Sequence, residues 1–201
     1  MNTVGMRLVE GLHARGVEVV FGIPGVHTVE MYRGLSGSPV RHVTARHEQG
    51  CAFMADGYAR TTGKPGVALV ITGPGLTNAI TAMAQAREDS IPMLVISGVN
   101  RRGSLGKGWG LLHELPDQQA MIATLCPTRR ITAPGQVADT LDWAFATMAS
   151  GRPGPVVIAP GVTPAQLAIT RVDADGQNFI ALGRSITALK ASGKRVTELE
   201  G

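Results

Sequence analysis

A glutamate at the start of a predicted helix is the residue of this chain best suited to chemistry. Glu48 lies in the stretch 46–60, RHEQGCAFMADGYAR, in which many of the positions after it are small residues. Partial burial among small apolar groups favours the protonated form of a carboxyl group, which can then hold or share a proton and tune a bound heteroaromatic ring. The helix dipole alone also favours an acidic residue in a first turn. The spacing by itself leaves both interpretations open.

Two glycine-bearing turns follow predicted strands on either side of this helix. They are Gly22-Ile23-Pro24-Gly25 and Thr72-Gly73-Pro74-Gly75. The second turn could bring backbone amides at a helix N-terminus close to a ligand, and an ordinary strand-to-helix turn is the alternative. It is not a phosphate signature, because it lacks both the GxGxxG spacing and the Lys-Ser/Thr ending of a P-loop.

The histidines and cysteines do not show the spacing of a metal site. His47 and His113 have polar neighbours, but no HxH or HExxH pattern occurs, and we predict loop or packing roles for both and no metal site. Cys51 and Cys126 are far apart in sequence and no CxxC occurs. We therefore predict reduced cysteines in the core or in helices, as is typical of a cytoplasmic protein.

Six short apolar strands alternate with six helices along the first 160 residues. This alternation predicts an α/β fold with a six-stranded, mostly parallel sheet covered by helices on both faces. Ligands of such sheets bind at the carboxyl ends of the strands, so both glycine turns and Glu48 should lie along one edge. The predicted strands cover 17–21, 39–44, 67–71, 92–97, 128–131 and 155–159, and the predicted helices 3–15, 28–35, 48–62, 77–88, 116–125 and 134–149.

Composition limits the classes of partner. The chain has 201 residues, of which 44% are hydrophobic and 17% charged, enough for one domain with a sizeable core plus an appendage. We predict a domain over 1–160 and an appendage of uncertain order over 161–201, with a strand over 178–182. The net charge is +4, but the arginines are scattered and aromatic residues make up only 4%, which disfavours nucleic-acid binding.

No membrane segment is predicted from the sequence. No apolar run reaches the roughly 18 residues that a membrane span needs. Arg7 and Glu10 fall within a helical pattern at the N-terminus, which does not resemble a signal peptide. A cytoplasmic location is therefore expected.

Four motifs in this order resemble the N-terminal pyrimidine-binding domain of thiamine diphosphate-dependent enzymes. They are FGIPG at 21–25, the Glu48 stretch, TGKPGVALVITGPGLTN at 62–78 and DSIPMLVISG at 89–98, and GRPGPV at 151–156 is similar to the end of that domain. The resemblance covers about residues 4–158. It is closest to acetolactate synthases and 2-oxo acid decarboxylases. The stretch 25–35 and the loop near 100–118 look more like decarboxylases of guanidino-type 2-oxo acids, such as 5-guanidino-2-oxopentanoate decarboxylase.

The resemblance implies a role for each motif. Glu48 matches the glutamate that hydrogen-bonds the aminopyrimidine ring of the cofactor and favours its imino form, which deprotonates the thiazolium carbon before a 2-oxo acid is decarboxylated. Pro24, Gly25 and Val26 match a loop beside cofactor and substrate. A second family turn approaches the pyrimidine side of the cofactor or the neighbouring subunit. The residues that match this turn are Thr72, Gly73, Pro74 and Asn78. The loop carrying His113 and Gln118 is implied to face the substrate.

The chain also departs from the family. A later domain of the family supplies Gly-Asp-Gly and Asn for Mg²⁺ and diphosphate. No Gly-Asp-Gly occurs in these residues, so Mg²⁺ is expected only through a missing or partner domain. FAD is compatible with the family, but nothing in the sequence supports it. Position 53 is Phe where the synthases often have a histidine.

Two functional hypotheses follow. The first is an enzyme component, inactive alone, that shares a thiamine diphosphate site with a second copy or with a separate diphosphate-binding subunit and acts on a small 2-oxo acid. The second is a non-catalytic, truncated fragment or interaction module that keeps the fold. In either case, five small residues of the Glu48 helix are expected to pack across a two-fold dimer interface, namely Cys51, Ala52, Ala55, Gly57 and Ala59.

Overall fold

The structure is a computed structural model that describes residues 3–161, 169–174, 177–182 and 196–198. The chain divides into two compact units, Met1–Gly161 and Val162–Gly201. Within 3–161, helices and strands alternate. Helices α1 to α6 are Val4–Ala14, Val29–Leu35, Glu48–Thr62, Pro74–Glu88, Gln118–Ala123 and Val137–Ala149. Strands β1 to β6 are Val19–Gly22, Arg41–Thr44, Gly66–Val70, Met93–Ser97, Thr128–Ile131 and Pro155–Pro160.

Three helices differ from their predicted limits by two or three residues at one or both ends, and one of them, α6, begins at Val137 instead of 134, after a 3-10 turn over Pro134–Gln136. Helix α4 begins at Pro74 instead of 77, because the first turn of a helix accommodates a proline, whose missing N–H has no helical partner there. Helix α5 is shorter than 116–125, because the Asp117 side chain caps it by accepting a hydrogen bond from the Ala120 amide at 2.9 Å. This cap fixes the end of the preceding loop.

The six strands form one parallel sheet, which confirms the predicted α/β class. The strand order is β2-β1-β3-β4-β6-β5, and every pair is parallel. Gly22 at the end of β1 is in register with Thr44 of β2, and Val70 of β3 with Ser97 of β4. The carboxyl ends of these four strands therefore share one edge, as predicted for the glycine turns and Glu48.

The sheet is buried on both faces, as an all-parallel sheet should be. Alternate side chains of β3 enter two separate clusters, with Val67 and Leu69 in one and Ala68 and Val70 in the other. The first cluster includes Leu8 of α1, Met31 of α2 and Leu141 of α6, and the second includes Ala52 of α3, Met83 of α4 and Ile122 of α5.

The small residues of α3 do not face a partner. Cys51, Ala52, Ala55 and Ala59 are buried within this chain, so the prediction that they pack across a dimer interface is wrong. They let α3 lie close to its own sheet. A Cβ atom at Gly66 of β3 would be 1.9 Å from the Ala55 carbonyl oxygen.

The outer face of α3, unlike the face that packs on the sheet, is exposed. A Cβ atom at Gly57 would meet no atom within 4 Å, so this fifth small residue faces open space. Phe53 is 41% exposed on the same helix. The surface of α3 thus carries an uncovered apolar side chain beside a glycine.

The second unit contains three antiparallel strands in the order β8-β7-β9. They are β7 (Ile169–Ala174), β8 (Gln177–Leu182) and β9 (Val196–Glu198), and β8 confirms the strand predicted over 178–182. Among the residues described in either unit, no helix is long and apolar enough to cross a membrane.

Candidate functional site

Glu48 is the first residue of α3, directly beyond the end of β2. The chain enters the helix through His47, whose Nδ1 accepts a hydrogen bond from the Gln49 amide at 3.2 Å and so caps the helix. Glu48 itself is half-buried. Its Oε2 accepts a hydrogen bond from Asn78 Nδ2 of α4 at 2.9 Å. One oxygen of the carboxylate is therefore anchored by the neighbouring helix.

The other oxygen faces a glycine. A Cβ atom at Gly75 would be 3.8 Å from Glu48 Oε1, and also 2.7 Å from Cγ1 of Ile71. Within the described part of the chain, no residue forms a hydrogen bond with Oε1. The missing side chain at Gly75 lets Ile71 and the Glu48 carboxylate lie close to the start of α4, and Oε1 is free to bind something else.

The Pro24-Gly25-Val26 loop lies against the same isoleucine. A Cβ atom at Gly25 would be 2.5 Å from Cγ2 of Ile71. Thr28 Oγ1 accepts a hydrogen bond from the Gly25 amide at 3.0 Å and holds the loop closed. Pro24 is exposed and Val26 half-buried. The structure therefore brings this loop, Gly75 and Glu48 together around Ile71.

The turn that follows β3 is held by a buried glutamine. Gln118 Oε1 accepts hydrogen bonds from Thr72 Oγ1 at 2.6 Å and from the Gly73 amide at 3.0 Å. Its Nε2 donates to Ser97 Oγ at 3.2 Å and to the Gly98 carbonyl oxygen at 3.4 Å. Gln118 thus ties the ends of β3 and β4 together, and its amide is used within the protein. Pro74, the next residue of the turn, is exposed.

His113 lies against this turn. Its φ is 58°, an uncommon conformation for a residue with a side chain. A Cβ atom at Gly73 would be 2.4 Å from the His113 carbonyl oxygen, so only glycine allows the loop to approach this closely. The loop before α5 is in this way locked onto the glycine turn.

The environment of the site also raises the pKa of a nearby thiol. Burial raises the pKa of Cys51, one turn beyond Glu48, to about 11, and the charge of Glu48 adds to the rise. Cys51 is free and buried, as is Cys126. The thiol is therefore neutral and is not a nucleophile of this site.

Several residues near the site were not found by sequence reasoning. His27 is buried beyond β1, and its Nε2 is 2.7 Å from Asn100 Oδ1 beyond β4. Ile71 and Ser97 take part in the contacts described above. The position of His27, two residues after the GIPG turn, indicates that it lies near the site. No sequence pattern indicates the same for Asn100. Among the described residues, no three His, Cys, Asp or Glu side chains converge as a metal ion would require.

Comparison with known proteins gives a family match. Residues 2–121 match the model described as the thiamine pyrophosphate enzyme, N-terminal TPP binding domain. That range contains Glu48, both glycine turns, His113 and Gln118, so the whole candidate site lies within the matched region.

Individual relatives agree with this match. Over 158 residues the chain is 57% identical to the Pseudomonas aeruginosa protein named "Probable 2-ketoarginine decarboxylase AruI", covering 78% of this chain and 28% of that protein. It is 38% identical over 160 residues to an acetolactate synthase of Arthrospira platensis, with 78% and 27% covered. It is 39% identical over 152 residues to the acetolactate synthase isozyme 1 large subunit of Escherichia coli, with 75% and 27% covered. The chain thus spans less than a third of the length of these relatives.

Proposed function

The chain belongs to the thiamine pyrophosphate enzymes, whose N-terminal cofactor-binding domain it carries, and we propose that it supplies the pyrimidine-binding half of a thiamine diphosphate site. The complete site would act in a 2-oxo acid decarboxylase or an acetolactate synthase-type enzyme. A separate diphosphate-binding domain would supply the other half, including the groups for Mg²⁺. The observation that carries the proposal is the Glu48 carboxylate, anchored on one oxygen and open on the other.

The residues present fit an aminopyrimidine. Asn78 holds Glu48 Oε2 at 2.9 Å, which leaves Oε1 to form a hydrogen bond with a ring nitrogen. Gly75 lets Ile71 and that oxygen lie close to the start of α4. When bound, thiamine diphosphate supplies the electron sink for decarboxylation of a 2-oxo acid. Glu48 then has the task of holding a proton at a fixed ring nitrogen, which is general acid–base work.

The surrounding residues have positioning roles in this proposal. The Pro24-Gly25-Val26 loop would border the ring on one side, and the turn with Thr72, Gly73 and Pro74 on the other. Gln118 keeps that turn in place through its bonds to Thr72 and Gly73. His113 stands on the loop that would face the substrate.

The relatives support a substrate class. The relative named for 2-ketoarginine, a guanidino-bearing 2-oxo acid, shares more identity with this chain than the two acetolactate synthases do. We therefore infer a 2-oxo acid with a guanidino group as the first substrate to test. A cytoplasmic location belongs to the same proposal.

The partner would cover the outer face of α3. Phe53 is exposed there, and Gly57 leaves space beside the helix. Close approach of a second helix at a glycine is a common way to build a subunit interface. Either a second copy of the chain or a separate diphosphate-binding subunit would meet this requirement.

The proposal is tested by titrating thiamine diphosphate and Mg²⁺ calorimetrically, with and without a diphosphate-binding domain that carries Gly-Asp-Gly. Binding should appear only in the mixture. In the loaded mixture, exchange of the thiazolium C2 proton with deuterium should slow by about 100-fold or more in Glu48→Gln, the contribution typical of a positioned acid or base. Glu88→Gln, at the exposed far end of α4, is the matched control and should not change the rate.

Each outcome separates the two functional hypotheses. Tight binding by the isolated chain would contradict the shared site. Thiamine diphosphate could instead bind in the mixture while Glu48→Gln exchanges the C2 proton as fast as the control. That outcome would contradict the enzyme-component hypothesis and leave the non-catalytic interaction module. Absence of binding in the mixture would favour that module too.

A further inference from the structure

A cavity bordered by α4, α5 and β5 carries cationic side chains that the proposed cofactor site does not use. Its volume is about 750 Å³, within the range of roughly 300–1,000 Å³ that is usual for small-molecule sites. Arg87 near the end of α4 and two residues of β5, Thr128 and Arg130, line it. None of these three residues contacts Glu48 or the glycine turns through a hydrogen bond in the part of the chain that the structure describes.

Strand β5 places Thr128 and Arg130 on the same face of the sheet. Successive side chains of a strand point to opposite faces, and the two intervening residues take the other face. The guanidinium carbon of Arg129 lies 4.2 Å from the centre of the Trp143 ring, and Ile131 belongs to the core cluster on that side. Because β5 is an edge strand, the face with Thr128 and Arg130 lies at the margin of the sheet.

Two polar atoms on this face have no partner. Arg130 Nε and Thr128 Oγ1 are buried, and neither forms a hydrogen bond with any described residue. A buried polar group without a partner destabilises a fold by roughly 1–3 kcal/mol, and a charged one by more. A guanidinium cannot shed its proton to avoid this cost. The strand therefore keeps an ionised donor for which the described residues provide no acceptor.

The charges around the cavity are predominantly positive. Arg87 and Arg130 face one acidic residue in the described wall, Asp117, whose Oδ1 already accepts a hydrogen bond from the Ala120 amide. Burial raises the pKa of Cys126 in the same wall to about 12, and the charge of Arg87 opposes this rise. The positive charge of Arg87 therefore acts inside the cavity as well as on the surface.

Three donors at three positions match a tetrahedral anion. A guanidinium presents its Nε and Nη hydrogens as a planar fork that binds two oxygen atoms of one anion. The second arginine and the threonine hydroxyl then need at least one further oxygen, which a phosphate group has and a carboxylate lacks. The cavity is also much larger than a phosphate ion, so an organic group attached to the phosphate can lie against Ala123 and Pro127.

We propose that the cavity bordered by α4, α5 and β5 binds a phosphate group, with Arg130 as its bidentate partner and Arg87 and the Thr128 hydroxyl as its further donors. The group is either the free ion or the phosphate ester of a small organic compound, since both present the same oxygen atoms to these donors. The site is separate from the Glu48 half-site and does not depend on the proposed function.

Binding is measured on the full chain by nitrogen NMR of the arginine Nε–H groups, without thiamine diphosphate or Mg²⁺ and at constant ionic strength. Phenyl phosphate should shift the Arg130 resonance saturably and leave that of Arg129 in place. Tighter binding of phenyl phosphate than of inorganic phosphate would identify an ester as the ligand, and equal binding would identify the free ion. Benzoate, the matched carboxylate, should bind roughly fivefold more weakly than phenyl phosphate, because it lacks an oxygen for one hydrogen bond.

Three variants test the assignment of the donors. Arg130→Gln should weaken binding of phenyl phosphate by roughly 10–100-fold, the loss expected for a hydrogen bond to a charged group. Arg129→Gln changes the net charge by the same amount on the opposite face and should alter the affinity by less than about twofold, since salt screens distant charges. Thr128→Val preserves the shape of the side chain and should weaken binding by roughly fivefold.

The outcomes that overturn the proposal are equally specific. They are an Arg130 resonance that does not respond to phosphate or phenyl phosphate, benzoate binding as tight as that of phenyl phosphate, and equal losses in Arg129→Gln and Arg130→Gln. Far-UV circular dichroism checks that each variant is folded, and the resonance shift in the wild type tests the site without any substitution. Because no cofactor is present, failure here leaves the thiamine diphosphate half-site untouched.

Discussion

Replacement of Gln118 by methionine is the perturbation most directly worked out from the structure. Methionine keeps nearly the same volume, so it removes the polar contacts of Gln118 without leaving a large cavity. The variant loses the bonds from Thr72 Oγ1 and the Gly73 amide to Oε1, and the two longer bonds from Nε2 to Ser97 and Gly98. The turn beside Glu48 then keeps its backbone contacts, the hydrogen bond from Thr77 Oγ1 to the Pro74 carbonyl oxygen at 3.2 Å, and its contact with the His113 loop.

The expected loss follows from counting these contacts. The two short bonds contribute about 1 kcal/mol each, and the buried Gly73 amide left without an acceptor costs a further 1–3 kcal/mol. The bonds from Nε2 are longer and add little, since Ser97 Oγ retains the Ile71 and Gly98 carbonyl oxygens as acceptors. We therefore expect the free energy of unfolding to fall by about 3–5 kcal/mol.

The assay is urea unfolding followed by tryptophan fluorescence, which reports on Trp143, packed against the core. Gln119→Met is the matched control, since Gln119 is the adjacent residue and is half-exposed. Hydrogen exchange of the Gly73 amide, which should accelerate only in Gln118→Met, locates the loss at the turn. If the two variants unfold with free energies within about 0.5 kcal/mol of each other, the range usual for surface substitutions, Gln118 does not hold the turn and the reasoning is refuted.

Two further predictions concern titration. Burial lowers the pKa values of both His27 and His42 below 6.5. As the pH falls, the unfolded chain therefore protonates these histidines before the folded chain does. The urea midpoint should be highest above pH 6.5 and decline as the pH falls through the pKa values of the two histidines in the folded chain. A midpoint that stays constant on acidification would be inconsistent with this, and His27→Phe should lessen the decline. Burial also raises the pKa of Cys51 to about 11 and of Cys126 to about 12, so at pH ~8 iodoacetamide should react about 100-fold more slowly with the folded chain than with the chain unfolded in urea. Comparable rates in the two states would show that the thiols are accessible.

Local patterns explain what could be predicted from the sequence. The alternation of apolar strands with helices determines a parallel sheet, and parallel strands place all their carboxyl ends at one edge. Glu48 and the two glycine turns could therefore be assigned to that edge from their positions in the sequence alone. Each of these inferences needs only residues within one element and a rule about how elements connect.

The sequence does not determine which neighbour a side chain faces. The small residues of α3 suggest close packing, and the packing is real, but the partner is the chain's own sheet instead of another subunit. Gln118 was assigned to a loop facing the substrate, and its amide is in fact used to join the ends of β3 and β4. A sequence shows that a residue fits a crowded environment, but the identity of the neighbour depends on the order of strands and helices in space.

The sequence by itself determined the fold class and the edge of the sheet at which the candidate site lies, and it indicated Glu48 as the residue to place at the centre of the proposed site. The tertiary structure decided which distant side chains complete it. Asn78 anchors Glu48 from 30 positions away, Gln118 holds Thr72 from 46, and Asn100 fixes His27 from 73. Hydrogen bonds of this kind depend on atoms meeting within about 3 Å. No periodicity or motif specifies such a meeting, because it results from the packing of whole elements.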